Sequence, residues 1–386
     1  MESRNRHGLY RRLLTITVVS SLAFLLSGCW TIVASPSPPD GSGSSLLGVS
    51  CNSATNCFAV GNSDRTTLVE HWDGAAWSIV PSPNPNGVES TLYGVSCTSN
   101  TDCVAVGLSK PYAPPAESTL IERWDGTSWT IVPSPDVTGA SQNVLSSVSC
   151  TSGTSCFAVG FYASGSKIGI SLIERWNGTT WAISASPNPA GSTDTLLEGV
   201  SCFSATSCFA TGYAAKTNTG PGFALTEHWD GKSWAIATPP RPADAIASHL
   251  QGVSCVTATA CFAVGSYADG SGIQHALAET WDGTTWTVTP SADPPGSVEA
   301  VLGSVSCVSV TSCSAVGRYT DSPSSYKTLA QRWDGTQWTI TSTVNPQGAT
   351  SSLLYSVSCT SAKGCFAIGR YDDSDRRPLT LTERES

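Results

Sequence analysis

The chain has 386 residues, of which 40% are hydrophobic and 13% charged, with 35 Gly, 23 Pro and 13 Trp against a single Met. That is too apolar for a disordered chain and too often punctuated for a helical one, so a β-rich fold is predicted. The formal charge of −9 rules out a basic footprint, and neither nucleic acid nor an anionic membrane surface is an expected partner.

At the start of the chain Arg4, Arg6, Arg11 and Arg12 precede an apolar run from Leu13 to Leu26, the layout of an export signal and short for a spanning helix. The run ends in Leu26-Ser27-Gly28-Cys29, which resembles the bacterial lipobox. That resemblance implies a diacylglycerol on the Cys29 thiol and cleavage on its N-terminal side. Residues 1–28 are therefore expected to be a lipoprotein-type signal peptide, and residues 29–386 a single domain. No later segment has the length and apolarity of a membrane span. The product is expected outside the cytoplasm, held to the cell membrane by lipid alone, with plain secretion as the alternative.

Fourteen of the fifteen Cys fall into seven pairs of C-x5-C spacing: Cys51/Cys57, Cys97/Cys103, Cys150/Cys156, Cys202/Cys208, Cys255/Cys261, Cys307/Cys313 and Cys359/Cys365. Successive pairs start 46, 53, 52, 53, 52 and 52 residues apart, a repeat period used by propellers and solenoids. Each unit reads L-x-(G/S)-V-S-C-x5-C-F-A-V-G, a variable stretch, L-x-E-x-W-D-G-x-x-W-x-I, and a Ser/Pro-rich connector. This predicts four short strands, A to D, with A ending at the first Cys and B starting at the second. Asp73-Gly74 and its counterparts predict a tight turn between C and D. In strand B, Cys57, Ala59 and Gly61 alternate with Phe58 and Val60, a small face and a large one with neither polar, so both faces must be buried. Stacking the large face of one four-stranded sheet on the small face of the next predicts an all-β, seven-bladed β-propeller with four antiparallel strands per blade. The seventh unit stops at Leu381–Ser386 without a strand D. Trp30–Pro36 matches Trp77–Pro83 in pattern and is expected to complete that last blade and close the ring.

With these residues included, the mature chain resembles the seven-bladed β-propellers of the kelch and Asp-box type, and similar Cys-paired repeats with W-D-G-x-x-W occur in bacterial exported proteins. The D-G-x-x-W turn is one residue shorter than an Asp-box and the kelch diglycine is absent. The resemblance therefore implies architecture and carries over no catalytic residue.

The Cys pairs are expected to be disulfides across hairpins with five-residue loops, in keeping with an oxidising compartment. C-x5-C is not a usual zinc spacing, and His7, His71, His228, His249 and His275 do not recur with the pairs, so no metal site is assigned. Glu70, Glu122, Glu174, Glu227, Glu279 and Glu383, with Gln331 in the sixth unit, recur in strand C and are read as hydrogen-bonding positions within each blade rather than as catalytic acids. The repeated Trp pairs are read as packing. All length variation falls in the B–C and D–A loops, which share one face of the disc, and that face is the candidate binding surface. Its candidate residues are Tyr162, Tyr213, Tyr267, Tyr319 and Tyr371, assigned to the B–C loops, where they either grip a ligand or cap the strand ends. Tyr93, Glu198 and Gln251 join them from a variable position four residues before the first Cys, expected at the mouth of the central channel. Acidic residues beside Tyr267, Tyr319 and Tyr371 fall short of a Ca2+ loop, so no cofactor is expected. Function is read as that of a non-enzymatic, monomeric binding or scaffold module for a cell-wall glycan or an extracellular protein or peptide. A glycan-processing enzyme of sialidase or lyase type and a purely structural envelope role are the alternatives.

Overall fold

A computed structural model describes residues 29–38, 43–85, 88–112, 116–165, 167–217, 220–322 and 325–385, so the expected signal peptide lies outside the described residues. All regular structure among the described residues is β-strand, and no helix among them is long and apolar enough to cross a membrane. Strand β1 (Trp30–Val33) is followed by β2 (Ser44–Ser53), β3 (Asn56–Ser63), β4 (Thr66–Trp72) and β5 (Trp77–Ile79), of which the last four form an antiparallel meander. The same four-stranded unit recurs along the chain, and a parallel bridge between Gln274 and Glu299 joins the fifth unit to the sixth. The last unit has only three strands of its own, ending with Pro378–Glu385. Its fourth is β1, paired antiparallel with Trp30 opposite Glu385 and Val33 opposite Thr382.

The strands run past the cysteines, contrary to the expectation of five-residue loops. Each Cys pair is directly opposed across the hairpin, as Cys51 is to Cys57, and the turn itself is only Ala54-Thr55. A register shift between Cys51 and Ser53 leaves Asn52 as a β-bulge, which takes up the remaining residue. Cys51–Cys57, Cys97–Cys103, Cys150–Cys156, Cys202–Cys208, Cys255–Cys261, Cys307–Cys313 and Cys359–Cys365 are all disulfides, with Cα atoms 4.0 Å apart. The two halves of each bond differ in surroundings, which staples placed at loop ends would not. The second Cys of every pair, namely Cys57, Cys103, Cys156, Cys208, Cys261, Cys313 and Cys365, is at most 2% exposed and belongs to an inter-unit core. The first Cys of every pair is only half-buried. The reason is strand position: the second Cys sits on the small face of a strand flanked on both sides, and that face is covered by the adjacent unit. These seven sulfurs are therefore core packing as well as cross-links.

The C–D turn is the tight turn expected at Asp73-Gly74. Only Gly74 takes a positive φ, of 101°, while the Asp73 carboxylate accepts the N–H groups of Ala75 and Ala76.

The core consists of interfaces between units. Cys57, Ala59, Leu68, Trp72 and Trp77 of the first unit pack on Phe366 and Ile368 of the last. Phe58, Val60 and Val69 of the first unit in turn pack on Leu92, Cys103, Ala105 and Trp129 of the second. The large-on-small stacking read from strand B is thus the packing rule. The rings of Trp72 and Trp77 meet that of Phe366 at centroid distances of 5.0 and 5.3 Å, the second of them edge-on. Such tilted and edge-on pairs add to the free energy of burying the rings. The Ser of each V-S-C triplet links neighbours at the inner strands. Its hydroxyl accepts the N–H of the next unit's first Cys, as Ser50 does from Cys97 at 3.0 Å and Ser254 from Cys307 at 3.1 Å. The series ends with Ser358 accepting from Cys51 at 2.9 Å, between the last unit and the first.

Candidate functional site

The innermost strand of every unit carries a second bulge. The register against the neighbouring strand skips one residue in each: Leu47, Tyr93, Ser146, Glu198, Gln251, Gly303 and Tyr355. A bulge re-aims the extra side chain. All seven of these residues line a central cavity of about 210 Å³ and a second, of about 310 Å³, toward the B–C loops. The variable position four residues before each first Cys thus lines both cavities, the second of which opens as a mouth. The bulge also explains the F-A-V-G glycine, which is more than a small packing residue. A Cβ on Gly61 would sit 1.9 Å from the carbonyl oxygen of Ser45, and the six equivalent glycines face the same obstruction.

Around this mouth the groups are mixed in character. Glu198 Oε2 lies 3.1 Å from His249 Nε2. The His249 ring meets Tyr213 edge-on at 4.9 Å, and the Tyr213 hydroxyl donates to Asp194 at 2.9 Å. Burial and the Asp194 carboxylate push the Tyr213 phenol well above its ordinary range, so it stays a donor. Burial, and then the Glu117 carboxylate, push Tyr93 upward as well. Arg318 lines the mouth and is held by Glu299 at 3.3 Å. Gln251 and Arg318 also border an adjoining groove of about 320 Å³ that contains Tyr213, His249 and Tyr267.

The structure divides the tyrosine set. Tyr162, Tyr213, Tyr267, Tyr319 and Tyr371 lie within second strands, not in B–C loops. Tyr213 stands one residue after the strand glycine and the other four stand two after it, so strand alternation turns them to opposite faces. Tyr162, Tyr267, Tyr319 and Tyr371 are half-buried and pack against the inter-unit cores. Tyr267 also stacks on His275, which is held between Asp293 and Asp269 at 2.7 and 3.2 Å. Tyr93, Tyr213, Tyr267, Glu198 and Gln251 are brought together at the mouth or its adjoining groove, whereas Tyr162, Tyr319 and Tyr371 are not. Arg318, Phe161 and Tyr355 complete the mouth. The signal for the first two is their place directly after the strand glycine, on the face opposite the packed tyrosines.

The recurrent glutamates are buried away from this mouth, and their partners are not within the unit as expected. Four of them bond to the serine of the connector that precedes their unit: Ser35 donates to Glu70 at 2.9 Å, Ser82 to Glu122 at 2.7 Å, Ser134 to Glu174 at 2.9 Å and Ser186 to Glu227 at 2.9 Å, whereas the carboxyl oxygens of Glu279 and Glu383 have no hydrogen-bond partner among the described residues. Burial raises Glu70, Glu174, Glu227, Glu279 and Glu383 to about 8, with the serine bonds at Glu70, Glu174 and Glu227 opposing the rise. The serine bonds of Glu70, Glu122, Glu174 and Glu227 tie each of these carboxyls to the preceding connector. Among the described residues no group of three or more His, Cys, Asp or Glu is arranged to hold a metal ion.

No family model matches the chain, and no curated protein matches it in sequence. Solved structures do. YCF48 bound to D1 peptide is 12% identical, with 92% of this chain and 97% of that one covered and a TM-score of 0.56. A PL25 ulvan lyase, a polysaccharide lyase bound to -[GlcA(1-4)Rha3S]-, is 9% identical over 92% of this chain and 93% of its own, again with a TM-score of 0.56. A protein of unknown function from Dyadobacter fermentans is 9% identical, with 79% and 96% covered and a TM-score of 0.50. The first two are β-propellers, and this chain shares their fold, with a disulfide in every repeat.

Proposed function

We propose that the protein is a closed seven-bladed propeller, displayed outside the cytoplasm from a lipid on Cys29, that binds a glycan or peptide segment at its channel mouth without turning it over. The observation that carries this reading is the convergence of one bulged residue from every unit on a single concave mouth. There Tyr93, Glu198, Gln251 and Tyr355 meet Arg318. Phenol rings flanked by a few fixed polar groups suit sugar rings and extended peptide alike. Two of the structural neighbours, one bound to a peptide and one to an oligosaccharide, belong to the same fold. Closure of the ring is supported by β1 pairing with the last strand and by the Ser358–Cys51 bond. The disulfides fit an oxidising compartment, and Cys29, the proposed lipid site, is exposed. Against an enzyme, Glu198 is the only carboxylate among the seven bulged residues, whereas hydrolysis of a glycosidic bond ordinarily needs two acids that converge.

A peptidoglycan, glycan and peptide array probed with the protein, alongside Tyr93→Ala and Tyr355→Ala variants, tests the proposal. Selective binding lost in both variants is expected. Binding that persists in both would remove the mouth as the site, and turnover of a bound glycan would establish an enzyme instead.

A further inference from the structure

The fourth unit departs from the others at three places that meet in space. Five residues after the second Trp, the connectors carry Ser or Thr, as at Ser35, Ser82, Ser134, Ser186, Ser291 and Thr343, but the fourth carries Pro239. Two residues further on, Asn84, Asp136, Asn188, Asp293 and Asn345 each accept a backbone N–H from the third strand of their own unit. Arg241 stands there in the fourth unit and cannot accept, and the corresponding N–H of Ala224 turns to the Ser248 hydroxyl at 3.0 Å. Finally, where Tyr162, Tyr267, Tyr319 and Tyr371 fill the space beside the core in four units, and Ser63 and Ser109 stand in the first two, the fourth unit has Ala214, the one residue there with no polar group.

These exchanges open a cavity of about 640 Å³, walled by Ala214, Phe223, Leu225 and Ile236 and rimmed by Lys216 and Arg241. Its size is that of a small-molecule site. The Arg241 guanidinium carbon lies 3.3 Å from the Phe223 ring centre, which holds the cation at the apolar wall. Several other cations on this side of the disc are matched: Arg65 with Glu89, Lys110 with Glu117, Arg318 with Glu299, Lys327 with Asp321 and Arg377 with Asp373. Neither Lys216 nor Arg241 has a carboxylate partner among the described residues, in a chain whose net charge is −9.

We propose that this cavity is a second binding site, separate from the channel mouth, for a small amphipathic anion. An aliphatic or aromatic body would lie on the Ala214–Ile236 wall with a carboxylate or sulfate at Arg241. Such an anion supplies the missing counter-charge and covers the wall that a tyrosine covers in four of the other units. The test is calorimetric titration of the chain from Cys29 onward with decanoate, 1-anilinonaphthalene-8-sulfonate and uncharged 1-decanol. Two variants install residues that other units carry at these positions, Arg241→Asn and Ala214→Tyr, and thermal unfolding checks that each keeps the fold. The wild type is expected to bind at least one of the two anions, and which one binds separates an aliphatic from an aromatic ligand. Arg241→Asn should weaken the anion roughly tenfold while leaving decanol unchanged, and Ala214→Tyr should abolish both. The proposal is overturned if neither anion binds the wild type, if anion binding survives Ala214→Tyr, or if Arg241→Asn weakens decanol as much as the anion.

Discussion

Glu279 should make the protein less stable as pH rises, and replacing it with Gln should remove that dependence. Its side chain is 1% exposed, and both carboxyl oxygens lack a hydrogen-bond partner among the described residues. The cause is local: the connector serine that caps Glu70, Glu122, Glu174 and Glu227 is Pro239 here. Burial raises the carboxyl from 4.5 to about 8. The folded state therefore keeps a proton that the unfolded chain releases above about pH 4.5, so this stability is present in acid and is lost as pH climbs toward 8. At pH 7 the gap between the two states is about 3 kcal/mol, and at pH 5 it is about 1 kcal/mol. Gln331, at the same place in the sixth unit, shows what the amide does instead: it donates to the Ala292 carbonyl at 2.8 Å and accepts from Ser291 at 3.0 Å. Urea unfolding of wild type and Glu279→Gln, disulfides intact, at pH 5 and pH 7 gives the comparison. Any fixed gain or loss from the new amide appears at both pH values and cancels in the difference. The variant should gain about 2 kcal/mol more at pH 7 than at pH 5. An equal effect at both pH values would refute the reasoning.

Three further outcomes are expected. Titration of the denatured, unreduced chain with a thiol reagent should find none of the fourteen paired Cys reactive, and reduction should release them all. Ser358→Ala and Ser254→Ala should each cost about 1 kcal/mol in denaturant unfolding. A silent Ser358→Ala beside a costly Ser254→Ala would mean that the first and last units do not stay joined in solution. Gly265→Ala should cost more than about 3 kcal/mol, because its Cβ would lie 1.9 Å from the His249 carbonyl oxygen, whereas Gly270→Ala, with no atom within 4 Å, should be close to neutral in the same measurement.

The parts of this fold legible in the sequence are those in which a residue reports on its own strand. Alternation of Cys57, Ala59 and Gly61 with Phe58 and Val60 gave both sheet faces, and the pattern shared by Trp30 and Trp77 gave the strand that the last unit borrows. Period-two geometry was also what the tyrosines needed. Grouping Tyr213 with Tyr162, Tyr319 and Tyr371 placed a residue of the groove beside the mouth among residues committed to packing, although one step along a strand reverses the face. Two other features have no signature within the unit. The glutamate partners sit some 40 residues earlier, as Ser134 does for Glu174, and only the stacking of units brings them together. The bulge inserts a residue without changing the count between conserved positions, so its visible trace is the invariant glycine opposite it, whose Cβ has nowhere to go. The same geometry separates frame from function. Each bulge pins its glycine on one strand and turns the residue at its apex toward the central cavity, outside the stacking between units, so Leu47, Tyr93, Ser146, Glu198, Gln251, Gly303 and Tyr355 vary while the frame stays regular. A repeat that must stay regular to stack can therefore still present seven independent choices to a ligand at one mouth.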